Sequence, residues 1–565
     1  PYLKKYEIKL GLSDNHATAI SRPELAGEGF HIMLNNKVFQ DNRIPPRGFT
    51  NAAFAARDMQ PVGVSYADGQ YWDTTYYPLH PDATEISVRL MYQTASAEYL
   101  DFLASEANLA VDDAVRGSTN WGTLIADQRS KGIGKPVVMA AAHLFMPRQF
   151  VAPAGTDSGD CSEATAPCRT INYAISQGID GGEIRVAAGI YRELIQLSKA
   201  ISLTGGYTTT NWLTPDWVAN PTVLDGQDSY RPLTIRADGV QINGFVIRNG
   251  NTSGSDRYGG GLYIGGANEV DRATLRNLRL ENNVASTVEN GEGGGLMAAM
   301  GNTFQLPARL TLSNVTVIDN RATTGNLGGT GGGIYIQAVG TTPLQVEMFH
   351  VTVQGNRAGN EFSSSGGGIA LSLNGGRATI RQSRILNNQA AAINTMLGGP
   401  SRGGGIYLTN GSLLLENVLM AGNVRERGDA LWIEPGSQSG AVIGLNYVTI
   451  ADNHRTGENG GTALQVAGSA LGLIVANTLI SGSSVGFAAP AEAEALTLDL
   501  QQVLVDPNVS IPISGTLITT GTPLRAPAGY RNGAAGDYHL AADSAAVDAG
   551  NNLPPLVDLD GLPRP

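Results

Sequence analysis

Aromatic side chains are scarce in this chain. Phenylalanine occurs 12 times in 565 residues and all aromatics together make 6%, against 72 glycines. That balance argues against a large helical enzyme core and fits a turn-rich, all-β fold. No C-x-x-C-H occurs, so no haem is attached to this chain in the c-type manner. No apolar run reaches the roughly 18 residues that a membrane span needs. The net charge is −12, the pI is near 5.1 and no basic stripe is present, which makes nucleic acid an unsuitable partner. Cysteine occurs twice, as Cys161 and Cys168 in a short polar loop with no histidine nearby. This spacing does not read as a zinc site. A local disulfide is the expectation, and it implies an oxidising, extracytoplasmic setting; two free thiols are the alternative. A start at Pro1 with no signal segment predicts a processing product or a truncation, and no anchor segment precedes Pro565.

What is present is a repeat. Asn249, Asn283, Asn320, Asn356, Asn388, Asn423 and Asn453 recur at intervals of 34, 37, 36, 32, 35 and 30 residues, and Ser483 follows. Six residues before each stands a bend column: Asn243, Asn277, Asn314, His350, Gln382, Asn417, Tyr447 and Asn477. Apolar residues alternate with period two on both sides of it, as in Leu310/Leu312 before and Val317 after, but the parity changes across the column. A corner there lets both halves face one interior. Gly-Gly-Gly recurs at 259–261, 293–295, 331–333, 366–368 and 403–405, with weaker copies at 428–430 and 460–462, as a tight corner that repeats in every copy requires. Each copy reads as a short strand, a turn, a longer bent strand, an Asn turn and a variable polar loop. Stacking about ten or eleven such coils predicts a right-handed parallel β-helix roughly 50 Å long at a rung spacing of ~4.8 Å. The Asn column then forms a side-chain ladder, and the Asn and Gly columns read as architecture rather than as a ligand site.

Four segments follow. Residues 1–147 form a β-rich, sandwich-like domain with strands at Phe30–Val38, Glu85–Gln93 and Pro136–Ala142, and one or two helices at Ser96–Glu106 and Trp121–Lys131. Residues 148–182 form a junction with a helix near Thr170–Ser176 that caps the open end of the solenoid. Residues 183–505 carry the coils, and 506–565 cover the other end.

The elements GGGLY…LENN, GGGLM…VIDN, GGGIY…VQGN, GGGIA…ILNN and GGGIY…MAGN over about 240–485 resemble the polymorphic outer-membrane-protein type of β-helix repeat. FVAPAGTDSGDCSEATAPCRTINYAISQG with IRVAAGIYRE, and DYHLAADSAAVDAG…DLDGLPRP, look like the start and end of secreted bacterial β-helix proteins. That resemblance implies secretion and surface display. Over about 30–142, DNRIPPRGFTNAAF, YADGQYWDTTYYPL and VRLMYQTASAEYLDFL are similar to a domain found C-terminal to multihaem c-type cytochrome regions. The similarity implies haem on an upstream segment or a partner chain, with His16, His31 and His80 as residues that could reach a neighbour's iron; packing or surface roles are the commoner use of such histidines.

The functional expectation is a non-catalytic extracellular or cell-surface module with a structural, adhesion or assembly role, extended to the outer appendage of a multihaem cytochrome assembly. Its expected partners are proteins, further copies of itself, or surface glycans. The alternative is a polysaccharide lyase or glycoside hydrolase on one face of the helix. That reading requires acids that converge. Asp319 and Asp452 share a repeat column, but its other members are Asn282, Gly355, Asn387 and Gly422. Asp225, Asp228, Glu269 and Asp271 lie near the early coils and read as solvated loop charge. Calcium is a weak expectation at Asp157–Asp160 and at Asp558-x-Asp560-Gly561, neither of which has full loop spacing. No catalytic, cofactor-binding or metal residue is assigned.

Overall fold

The computed structural model describes residues 3–77, 85–107, 135–145, 147–252, 256–266, 270–301, 307–360, 363–390, 401–425, 430–434, 436, 440–453, 461–467, 471–489, 496–551 and 557–562. The chain divides into two compact units, Pro1–Phe145 and Met146–Pro565.

In the first unit, strands Ile8–Leu12, Gly27–Glu28 and Lys37–Asp41 form an antiparallel sheet, and Glu85–Tyr92 pairs with Val137–Phe145 as a separate antiparallel ribbon. The strand expected at Phe30–Val38 begins instead at Lys37. Asn35 donates to the Gly29 carbonyl at 3.0 Å and Asn36 to Ser13 Oγ at 3.0 Å, and such local side-chain bonds compete with a strand. Short helices at Asp14–Ala19 and Asn51–Ala55 escape the sequence pattern, the second capped by Thr50. A third spans Ala97–Ala107, and the helix expected at Trp121–Lys131 lies outside the described residues. Phe49, fully buried against Phe54, anchors the Pro-Pro-Arg-Gly-Phe loop.

The second unit is a right-handed parallel β-helix. Its short strands stack eleven deep, in register from Ile195–Leu197 to Ile511–Ser514. Each longer strand has a first leg, a bend and a second leg, as in Ala308–Ile318, whose alternate residues Leu310, Leu312, Val315 and Val317 are buried. The bend residues Asn277, Asn314, His350, Gln382, Asn417, Tyr447 and Asn477 adopt left-handed φ values of 46–54°. One left-handed residue shifts the pleat by one position, which is why the apolar parity changes there. In the first copy the bend falls on Gly244, φ 77°, and not on Asn243, so Phe245 and Ile247 face the core and Val246 does not.

The buried asparagines bond along the stack. Asn283 Nδ2 donates to Asn320 Oδ1, Asn320 to Asn356, Asn356 to Asn388, Asn388 to Asn423 and Asn423 to Asn453, each at 2.9 Å. Each acceptor also takes the backbone N–H of the preceding asparagine, and each Nδ2 also reaches a strand carbonyl in an earlier coil. Asn249 is a correction to this set. The one-residue shift of the first copy puts Gly250 in the ladder column, where its N–H bonds Asn283 Oδ1 at 2.8 Å, while the Asn249 side chain turns to Asp225 at 3.1 Å.

The two ends of the stack differ. At the first, the strand Arg148–Val151 pairs with Glu183–Ala187 on one edge, and its other edge is bonded to the loop closed by the Cys161–Cys168 disulfide. The helix Ile171–Gln177 lies beside it, with Ile171, Ala174 and Ile175 buried. Glu193 of the first coil accepts the Ile171 and Asn172 backbone N–H groups, satisfying donors that a helix start leaves open.

Among the described residues, the tail does not close the second end. A further coil, Ile511–Ser514, Leu517–Thr520 and Leu524–Arg525, extends the stack beyond 505. The chain then turns back along the outside of the helix. The hairpin of Tyr530–Asn532 and Asp537–Leu540 covers apolar outward residues of the late second legs, Leu479 and Leu504. Tyr530 meets Ser481 at 2.8 Å, Tyr538 donates to Asp452 at 3.0 Å, and Asn417 donates to the Val557 carbonyl at 2.6 Å. Those apolar second legs, exposed without the hairpin, give the tail its reason to lie on the flank.

The strap ends in a clasp. His539 lies between Asp537 and Asp560, with Nε2 2.8 Å from Asp560, which also pairs with Arg384 at 2.7 Å. Its hydrogen bonds to Asp537 and then Asp560 raise the imidazole pKa above its ordinary value. A raised folded-state pKa stabilises the clasp fully below the unfolded value and is lost as pH rises through the folded one. Amide exchange at 537–540 is therefore expected to accelerate, beyond its intrinsic base catalysis, as pH rises out of the ordinary histidine range and through the raised value of His539, and His539→Gln should flatten that excess.

Candidate functional site

At the glycine corners, parallel bridges align one column of residues: Tyr258, Glu292, Thr330, Ser365 and Arg402. Five residues later, the outward positions of the short strands align a second: Tyr263, Met297, Tyr335, Ala370, Tyr407 and Trp432. The glycines between them keep the corner bare. At Gly331, φ is +65° and a Cβ would clash with the Ile334 carbonyl oxygen and lie 2.8 Å from the Tyr335 Cβ, so a side chain there would displace the strand as well as the ring.

The two columns meet across the corner. The Tyr258 and Tyr263 rings stack at 5.9 Å and 23°. The Arg231 guanidinium lies 5.1 Å from the Tyr263 ring centre, Arg257 5.5 Å from Tyr258 and Arg402 5.9 Å from Trp432. Glu434 accepts from the Tyr407 hydroxyl at 2.8 Å and from Trp432 Nε1 at 3.1 Å, and lies 3.2 Å from Arg402 Nε. Arg231 pairs with Asp256 at 2.8 Å and donates to the Gly259 carbonyl at 2.7 Å. Glu292, 21% exposed, lies 3.6 Å from Arg257. Burial pushes its carboxyl above the usual carboxylate range, with Arg257 opposing the shift. Burial, then the nearby Glu292 and Tyr258, push the Tyr335 hydroxyl up to about 12, so it is a neutral hydrogen-bond donor at ordinary pH. The strip therefore combines half-buried aromatic faces with Arg and Glu groups held in fixed geometry. That pairing suits ligands with an apolar face and a polar edge.

Among the described residues, the acids considered from the sequence do not converge. Asp319 and Asp452 occupy the residue before the ladder, where Asn249, Asn282, Asp319, Gly355, Asn387, Gly422, Asp452 and Gly482 all have φ of 51–67°. This left-handed turn selects Asn, Asp and Gly, which explains the column without chemistry. Four rungs at ~4.8 Å separate Asp319 from Asp452 by about 19 Å. At Asp225 burial opposes ionisation, but bonds from the Gln227 N–H, Asn249 and Arg248 outweigh it and hold the carboxyl below its usual range. Asp228 is exposed, Asp271 stands just before a first leg and its backbone N–H donates to Asp238 Oδ1 at 3.0 Å, and Glu269 lies outside the described residues. Asp157 accepts the Arg169 and Thr170 N–H groups, Asp160 accepts from Ser162, and Asp558 accepts from the Asp560 and Leu562 N–H groups. Among the described residues, no three His, Cys, Asp or Glu side chains are placed to share a metal ion. His16 is exposed, His31 packs edge-on against Phe102 at 5.0 Å, and His80 lies outside the described residues. Among the described residues no helix is long and apolar enough to cross a membrane.

The aromatic column escaped the sequence reading, although it leaves a signal there. Tyr263, Tyr335 and Tyr407 each follow a glycine triplet by the same spacing, in a chain with few aromatics.

No family model and no curated protein matches the sequence. Among solved structures, the helix is similar to pectate lyase Pel9A, with TM-score 0.40 and 14% identity over 74% of this chain and 96% of that one. It is also similar to the catalytic unit of a thermostable GH87 α-1,3-glucanase from Streptomyces thermodiastaticus strain HF3-3, with TM-score 0.37 and 15% identity over 69% and 72%. A GH136 lacto-N-biosidase from Eubacterium ramulus gives TM-score 0.27 and 10% identity over 76% and 74%. At these values the likeness concerns the course of the chain, and no activity is carried over.

Proposed function

We propose that this chain is an extracellular glycan-recognising β-helix, and that polysaccharide lies along the glycine corner over Tyr263, Tyr335, Tyr407 and Trp432. The observation that supports this most is the aromatic column itself, flanked by Arg231, Arg257 and Arg402 and by Glu292 and Glu434. Sugar C–H faces stack on such rings, and hydroxyls pair with guanidinium and carboxylate groups that other contacts already orient. Adhesion through surface glycans is the role that follows, and the disulfide is consistent with secretion.

One observation favours turnover as a second reading. Glu292 is a partly buried carboxyl beside Arg257 with a raised pKa, as a general acid requires. Affinity electrophoresis against neutral and acidic polysaccharides, with analysis of reducing and unsaturated ends, separates the two. Retardation without new ends is the expected result. Release of ends that stops in Glu292→Gln would establish the enzyme reading, and retardation by no polymer would overturn glycan recognition.

A further inference from the structure

The open second end of the stack is an interaction surface, and we infer that it takes a second copy of this chain in a two-fold, end-to-end dimer. The last coil pairs on one side only: Ile511–Ser514 with Val485–Ala488, Leu517–Thr520 with Leu496–Gln501, and Leu524–Arg525 with Leu504–Val505. Among the described residues no strand pairs with the other edge of these three, and Ile511, Ile518 and Leu524 are 47%, 56% and 49% exposed. A parallel strand directs half of its backbone groups outward at such an edge, and another strand satisfies them best.

Three features select the occupant. The chain's own tail is engaged elsewhere, on the flank at Ser481, Asp452 and Asn417. Head-to-tail stacking is blocked, because the first edge is bonded to the disulfide loop and has the helix Ile171–Gln177 beside it. Two open ends can still meet, and an isologous contact closes at two copies. Charge favours the same partner. The molecule carries −12 overall and repels its own kind, but the last coil carries a single charged side chain, Arg525, which donates to the Pro507 and Val509 carbonyls.

Register narrows the geometry. Leu517 and Thr519 continue the inward columns of Leu496 and Leu498, while Ile518 and Thr520 point outward. Opposed residues in an antiparallel pair share a face, so the two-fold axis passes through a residue and not between two. With the axis at Ile518, Leu517 meets the partner's Thr519 in the joined cores and the two Ile518 side chains face each other. Pro512 has no N–H, so Leu517–Thr520 carries the pairing.

Sedimentation equilibrium of the full chain tests this. The wild type should associate to twice 59.1 kDa and no further. Ile518→Lys sets two like charges opposite one another and should weaken the dimer on the order of a hundredfold. Thr520→Lys provides a second outward variant, and Val218→Lys, in an exposed loop elsewhere, should leave association unchanged. Circular dichroism melts matching the wild type show that each variant is folded. A monomer at every attainable concentration overturns the proposal. So does a dimer, or a longer polymer, that is indifferent to both Ile518→Lys and Thr520→Lys.

Discussion

Replacing Asn356 with leucine should destabilise the helix by about 4 kcal/mol, among the larger single-residue effects. The side chain is fully buried and central to the ladder. Its Oδ1 accepts the backbone N–H and Nδ2 of Asn320, and its Nδ2 donates to Asn388 Oδ1 and to the Val317 and Gln354 carbonyls. Leucine leaves those groups buried without partners, at roughly 1–3 kcal/mol each before relaxation. Asn249→Gly, which keeps the left-handed φ of 51°, is the internal comparison. It removes one side-chain bond to Asp225 at the edge of the array and should cost no more than about 1 kcal/mol. Urea unfolding of both variants, read by far-ultraviolet circular dichroism, checks the pair. Equal losses would mean that the sequence period, and not the buried ladder, defines the structural asparagines.

Truncating the rings should act on binding and leave the fold intact. Trp432→Ala or Tyr407→Ala should lower affinity for the bound polysaccharide by about tenfold to a hundredfold, the range for removing a central aromatic anchor. Both rings bond Glu434, and Arg402 stands beside it, so the loss also frees the carboxylate that orients the strip. Phe349→Ala removes an exposed aromatic from the outward face of a first leg and should leave affinity unchanged. Isothermal titration with the polymer that retards the wild type measures all three. Loss in Phe349→Ala with none in Trp432→Ala would move the binding face to the first legs.

The architecture was legible in the sequence because it rests on periodic features. The six-residue interval from bend to asparagine marks two left-handed turns, and the parity change records the pleat shift at the bend. Asn243 and Asn249 misled because a glycine, Gly244, makes the bend in that copy and moves the register by one residue. The tail misled because hydrophobic strips on the outside of a solenoid form only once the coils are stacked. Leu479 and Leu504 are 25 residues apart in sequence and adjacent in space. The acids at Asp319 and Asp452 repeat for conformational reasons. The aromatic strip is periodic too, but its two columns become one surface only when the glycine corner folds them together.

The direct test of the glycine-corner account is hydrogen–deuterium exchange of the full chain with and without the retarding polysaccharide. Protection should concentrate in 258–263, 292–297, 330–335, 402–407 and 431–434, and Trp432→Ala should reduce it. Protection confined to the first legs, such as 309–313 and 345–349, or to the first unit would contradict the account and place recognition on another surface.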